Sequence, residues 1–172
     1  MDYNDLKERI KKHEGFVNKI YKDSLGFATI GYGHLVTKED SYEEGVEYTE
    51  EELSKQFDSD FTRAGLNAEM LLKDNEISTI QWDAKCVLIE MVFQLGIGGV
   101  GKFKKMWAAL QKEDYGEASF QMMDSRWATQ TPSRAKSLSE IMRTKVKHLL
   151  LKTYIYIMVS TLSLILMKNL KT

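Results

Sequence analysis

The chain has 172 residues, 43% of them hydrophobic, enough to form a core in one domain or two small lobes, which excludes a disordered chain. Its 24 basic and 25 acidic residues nearly cancel, and the pI near 6.3 removes any strong case for nucleic-acid binding. The lone Cys86 cannot close an internal disulfide, and three histidines without metal-ligand spacing argue against a zinc enzyme, so no metal or cofactor is expected.

Residues 1 to 20 alternate charged and apolar types without an uninterrupted apolar run, so nothing there resembles a cleaved secretory signal. Leu6 and Ile10 at helical spacing predict a helix over 4–13, with Asn4 or Asp5 as its cap and Gly15 as its stop. Short β-branched and aromatic runs over 16–21, 27–32 and 34–37, divided by Ser24, Gly26 and Gly33, predict a three-stranded antiparallel sheet. The acids Glu39, Asp40, Glu43, Glu44, Glu47, Glu50, Glu51 and Glu52 then read as a solvated loop followed by an acidic helix start. Thr49 and Glu52 form a capping-box pattern, and Leu53, Phe57, Phe61 and Ala64 carry one long helix over about 49–72. Further helices are expected over about 79–95, 103–112, 116–124 and 133–143, with Gly96, Gly98, Gly99 and Gly101 marking a break and Pro132 opening the last. The fold class that follows is α+β, mainly α. Val87, Met91, Trp107 and Trp127 read as core, and Cys86 as a buried, inert thiol.

Two acids and a hydroxyl fall on one short stretch: Glu14, Asp23 and Thr29. An inverting glycosidase needs one protonated carboxyl to donate to the leaving oxygen and a second, ionised one across a gap that admits water. At the end of the first helix Glu14 meets the negative end of the dipole and partial burial, both of which disfavour its ionised form and suit a general acid. Asp23, at the first turn of the sheet, fits a group that activates water, although an aspartate there also makes a routine turn residue. Thr29, on the second strand, fits a water clamp, or simply a β-former.

Four motifs lie in order along the chain: H-E-G at 13–15 with Y-K-D at 21–23 and T-I-G-Y-G-H at 29–34; C-V-L-I-E-M-V-F-Q-L-G at 86–96; G-G-V-G-K-F at 98–103; and S-R-W-A-T-Q-T-P-S-R-A-K at 125–136. In these segments the chain resembles the bacteriophage lysozymes of the T-even type, over roughly 4–143. The resemblance implies an endolysin, a muramidase that hydrolyses the β-1,4 bond between N-acetylmuramic acid and N-acetylglucosamine in peptidoglycan without a cofactor. It also implies a sheet lobe over about 14–48, joined by the helix over 49–72 to a helical lobe over about 73–148 on which the first helix packs, with the glycan between the lobes. The family pattern selects Glu14, Asp23 and Thr29 as catalytic, and Leu35, Phe93, Gln94 and Arg134 as substrate-binding, Arg134 reaching towards the acid. His34 and Asp60 match a structural ion pair, Gln130 and Thr131 match sugar-contact positions, and His13 has no assigned role. The lack of a signal-like opening fits synthesis in the host cytoplasm, and the resemblance implies a monomer that reaches the periplasm or wall with the help of a holin. The segment 38–48 is shorter than in the T-even enzyme, which would lower one rim of the cleft. Near-zero net charge departs from that enzyme's basic character, so attraction to a polyanionic wall should be weaker and activity less helped by low salt.

The ending departs from the family. From Leu149 to Met167 the one charged residue is Lys152, and no acid follows Glu140. Residues 149–172 therefore form an atypical apolar tail with three readings: a membrane anchor through 149–167, a replacement helix buried on the helical lobe, or a coding shift that has damaged it. Beside hydrolysis stand two other functions: a lytic transglycosylase, against which both Asp23 and Thr29 argue, and a wall-binding or membrane-tethered protein of lysozyme fold made inactive by its altered C-terminal segment.

Overall fold

The computed structural model describes residues 2–23 and 26–144. The segment 149–172, and with it all three readings of the tail, lies outside the described residues. By internal contacts the described residues divide into two compact units, one up to residue 103 and one over 104–144.

In the first unit, α1 runs over Tyr3–Glu14. Its cap is Asp2 rather than Asn4 or Asp5: the Asp2 side chain accepts from the Asp5 N–H at 2.8 Å while Asp5 accepts from the Asp2 N–H at 2.9 Å. Asp5 is thus the third residue of a capping box, a role one turn inside the helix that satisfies two otherwise unpaired donors. The strands β1 (Val17–Lys22), β2 (Ala28–Gly31) and β3 (His34–Leu35) form an antiparallel sheet in that order. β1 is irregular between Val17 and Tyr21, after which Tyr21 pairs with Thr29 and Thr29 with Leu35.

Residues 38–49 contain no helix or strand. Helix α2, Glu50–Asp74, begins at the expected box, with Thr49 accepting from the Glu52 N–H at 3.3 Å and Glu52 from the Thr49 N–H at 2.8 Å. Glu50, Glu51 and Glu52 fill its first turn, where acids meet the positive end of the dipole. Leu53, Phe57, Phe61, Ala64, Ala68 and Leu72 repeat every three or four residues and are all buried. They pack on α3, Trp82–Val100. In α3 every residue from Cys86 to Val92 is buried, so this stretch has no solvent stripe and is a central element. Each large side chain buried this way contributes about 1.5–3 kcal/mol. Leu6 and Ile10 of α1 are likewise fully buried. Of the four glycines expected to break α3, only Gly96 leaves the helical region, at φ 68° and ψ 166°. Gly98 and Gly99 stay helical through Val100, since glycine raises the cost of a helix without forbidding it.

The second unit holds α4 (Lys104–Gln111), α5 (Tyr115–Met123), α6 (Arg126–Gln130) and a helix, α7, over 132–144, with Pro132 in its first turn. Asp114 caps α5 and Ser125 caps α6. At five residues α6 is too short to show a period, so it is not among the helices expected from the sequence. Met106, Trp107, Leu110, Met122, Trp127, Leu138 and Met142 form this unit's core, and the Ser119 hydroxyl ties α5 to α7 by donating to the Ser139 carbonyl at 2.8 Å. Among the described residues no single helix is long and apolar enough to cross a membrane.

Candidate active site

Helix α1 stops at Gly15, whose φ of 74° with ψ of 175° suits glycine alone, and whose N–H reaches back to the Lys11 carbonyl at 3.0 Å. Glu14 is therefore the last helical residue, half-buried, at the end where the helix dipole is negative. Its carboxylate lies over the β2–β3 turn: a Cβ on Gly33 would sit 3.5 Å from Glu14 Oε2, and the φ of 84° there is again one for glycine. The turn is anchored by Tyr32, whose hydroxyl donates to Glu50 Oε1 at 2.5 Å. Burial and that hydrogen bond push the Tyr32 phenol up to about 12.

Asp23 closes the β1–β2 hairpin. Its N–H donates to the Phe27 carbonyl at 2.9 Å, and its Oδ1 accepts from the Phe27 N–H at 2.8 Å. The same Phe27 carbonyl accepts the Thr29 hydroxyl at 3.2 Å. One residue's two peptide groups thus join the candidate base to the candidate water clamp. With its proton donated to Phe27, Thr29 Oγ1 turns lone pairs towards any other partner. Thr29 is 5% exposed and sits between Tyr21 and Leu35 in a cross-strand row, so all three share one face of the sheet. Leu35 is half exposed on that face.

Tyr21 was not foreseen. Burial first, then the negative charges of Asp23 and Glu14, push its phenol above the ordinary value, so it lies within electrostatic reach of both acids. The signal was available: Tyr21 and Asp23 are two apart on or just beyond one strand, and period-two alternation puts them on one face.

On the opposite face His34 pairs with Ile30 and is buried. Its Nδ1 lies 2.9 Å from Asp60 Oδ2 and its Nε2 3.3 Å from Asp40 Oδ2. Asp60 also accepts from Arg63 Nη2 at 2.6 Å and Gln56 Nε2 at 3.3 Å. Burial, the largest single influence, lowers the His34 pKa, but the hydrogen bonds and charges of Asp60 and Asp40 together outweigh it and the pKa is raised. Asp40 is not part of a merely solvated acidic loop. It also accepts from the Thr37 N–H and hydroxyl, at 2.6 and 2.8 Å. Burial opposes these bonds and the His34 charge, yet they hold its carboxyl below the usual range.

Phe93 packs against Phe57 with ring centroids 5.6 Å apart and planes tilted by 48°, in a cluster that continues through Tyr32 to Phe16. Gln94 follows it, half-buried, two residues before the Gly96 kink. In the second unit Arg134 is half-buried on α7, while Gln130 ends α6 and Thr131 donates to the Trp127 carbonyl at 3.2 Å. Glu14, Asp23, Thr29, His34, Leu35, Asp60, Phe93 and Gln94 belong to the first unit and Arg134 to the second.

His13, given no role from sequence, bonds Glu90 of α3 through Nδ1 at 2.5 Å, and Arg9 Nε bonds the same carboxylate at 2.6 Å. The sequence did carry a signal for this: Glu90 is the one acid in the apolar run of α3, and Arg9 and His13 stand four apart on α1.

A sequence profile described as phage lysozyme matches residues 11–145. The chain is 30% identical over 161 residues to the probable T4-type lysozyme 2 of Dictyostelium discoideum, covering 82% of this chain and 95% of that protein. It is 29% identical over 160 residues to the pre-baseplate central spike protein Gp5 of Enterobacteria phage T4, covering 81% of this chain and 28% of that protein. Against the peptidoglycan hydrolase gp36 of Pseudomonas phage phiKMV the identity is 26% over 136 residues, covering 79% of this chain and 15% of that protein.

Proposed function

The chain belongs to the phage lysozyme family, and from that premise we propose that it hydrolyses the β-1,4 bond between N-acetylmuramic acid and N-acetylglucosamine in peptidoglycan, for host cell lysis. The family membership and the similarity to a phage peptidoglycan hydrolase support the reaction class. The observation that carries the finer reading is the shared Phe27 link between Asp23 and Thr29.

Glu14 donates a proton to the glycosidic oxygen as the bond to the anomeric carbon breaks. Asp23 takes one proton from the attacking water, and Thr29 Oγ1 accepts a hydrogen bond from its other O–H, which stays on the oxygen as the new anomeric hydroxyl. Water enters from the face opposite the leaving group, so the new hydroxyl is inverted. A transglycosylase needs only the acid, and would give a water-fixing pair nothing to do. Leu35, Phe93, Gln94 and Arg134 bind the glycan in this scheme, with host cytoplasm as the place of synthesis, the wall as the place of action and a holin supplying access.

Digestion of purified peptidoglycan in heavy-oxygen water tests the scheme. Reducing muramic ends carrying the heavy oxygen, initially in the inverted configuration by NMR, are expected. Anhydromuramic ends without label would refute hydrolysis, and a retained configuration would refute the single displacement.

A further inference from the structure

We propose that Glu90 is a positioning residue for Glu14: it clamps the last turn of α1 through Arg9 and His13 and so fixes the proton donor over the Gly33 turn. This inference rests on reading Glu14 as the acid.

Glu90 is 1% exposed, in the middle of a helix whose residues from Cys86 to Val92 are all buried. A carboxylate there is strongly disfavoured unless paired, and a well-packed apolar side chain would serve stability as well or better. What the carboxylate supplies is geometry. Its two oxygens take two donors from one face of α1, Oε2 from Arg9 Nε at 2.6 Å and Oε1 from His13 Nδ1 at 2.5 Å. These donors are four residues apart, one helical turn. The C-terminal turn of a helix frays because its last carbonyls lack intrahelical partners, and α1 ends one residue after His13, at Glu14. His13 is covalently joined to Glu14, so pinning its imidazole to the central helix holds the Glu14 backbone where its carboxylate meets the Gly33 turn. Proton transfer tolerates little displacement, since a misplacement of about 1 Å costs about a hundredfold in rate.

The test measures kcat and KM on solubilised glycan strands for the full chain, Glu14→Gln, Glu90→Gln, His13→Ala and His13→Asn, at a temperature where each keeps the parent circular dichroism spectrum. Asparagine retains an N–H donor near the place of imidazole Nδ1. Glu90→Gln and His13→Ala are expected to lower kcat about tenfold or more with KM unchanged, and His13→Asn to recover most of it. Loss in His13→Ala with recovery in His13→Asn decides the matter even if Glu90→Gln fails to fold. Parental kcat in His13→Ala and Glu90→Gln beside an inactive Glu14→Gln would overturn the positioning role and leave the acid assignment standing. An effect on KM alone would also overturn it. A fully active Glu14→Gln would overturn both.

Discussion

Asp60→Asn removes one charge and one acceptor from the buried pair with His34, and its cost can be worked from the contacts. Asp60 receives three donors: His34 Nδ1, Arg63 Nη2 and Gln56 Nε2. The Arg63 head is 65% exposed, so its pairing is worth at most about 1 kcal/mol. His34 is 8% exposed, and stripping one partner from a buried pair costs about 3 kcal/mol, Asp40 remaining to share the charge. In a chain of this length each kcal/mol moves Tm by about 2–4 °C, so the expected loss is about 6–12 °C.

The pH dependence has a definite sign. The folded pKa of His34 is raised, so the pair's contribution is fully present below the unfolded value of about 6.5 and fades as pH rises through the folded one. The Asp40 carboxyl, held below its usual range, stays ionised through this window and would lose its contribution only in stronger acid. Thermal melts of parent and Asp60→Asn at pH 5.5 and pH 9 check the reasoning: the gap in Tm should be wide at 5.5 and narrower at 9. An equal gap at both, or one under about 2 °C at pH 5.5, would refute the ion-pair account. Arg63→Ala is the control, with a shift of no more than about 4 °C.

Thr29→Ala removes the proposed water clamp while leaving Glu14 in place; kcat should fall about a hundredfold, with Thr29→Ser retaining most activity in muropeptide release. The Cys86 thiol is fully buried, and burial pushes its pKa up to about 11, with Arg9 opposing and Asp83 adding. It should therefore resist a thiol-specific chromophore at pH 8 in the native protein and react on unfolding; fast native labelling would contradict this placement. Leu88→Ala, at a fully buried position in α3, should cost about 2–5 kcal/mol in urea unfolding. Near-zero net charge predicts that clearing of peptidoglycan varies little between low and moderate salt, and a steep loss with salt would point to a local basic surface that net charge conceals.

Periodicity was most informative where one face of an element is buried. Leu6 with Ile10, and Leu53 through Ala64, located α1 and α2 to within a residue or two, because a helix that hides a stripe must write that stripe into its sequence. The Thr49 box marks the start of α2 for a different reason, as a local bond that needs no tertiary partner. The α6 turn escaped because five residues carry no period. The proximity of Glu14 to the Gly33 turn and the Phe27 link were invisible for another reason: they depend on the β1–β2 register and the place where α1 stops, which composition does not encode. Asp40 illustrates the limit of charge patterning. Eight acids over 39–52 look alike, yet only the one opposite the buried His34 is drawn into an ion pair with it. Glu90 was legible as an oddity in an apolar run, but its donors come from a helix some 80 positions away, at separations of 81 and 77.

The central claim, that this chain cuts the glycan with Glu14 as the acid, is tested most directly by turbidity loss of purified peptidoglycan with the full-length protein and Glu14→Gln in parallel, followed by mass analysis of released fragments. Clearing by the parent alone is expected, with reducing muramic ends and a folded, silent variant. Failure of the folded parent to clear the wall, or equal clearing by Glu14→Gln, would contradict it.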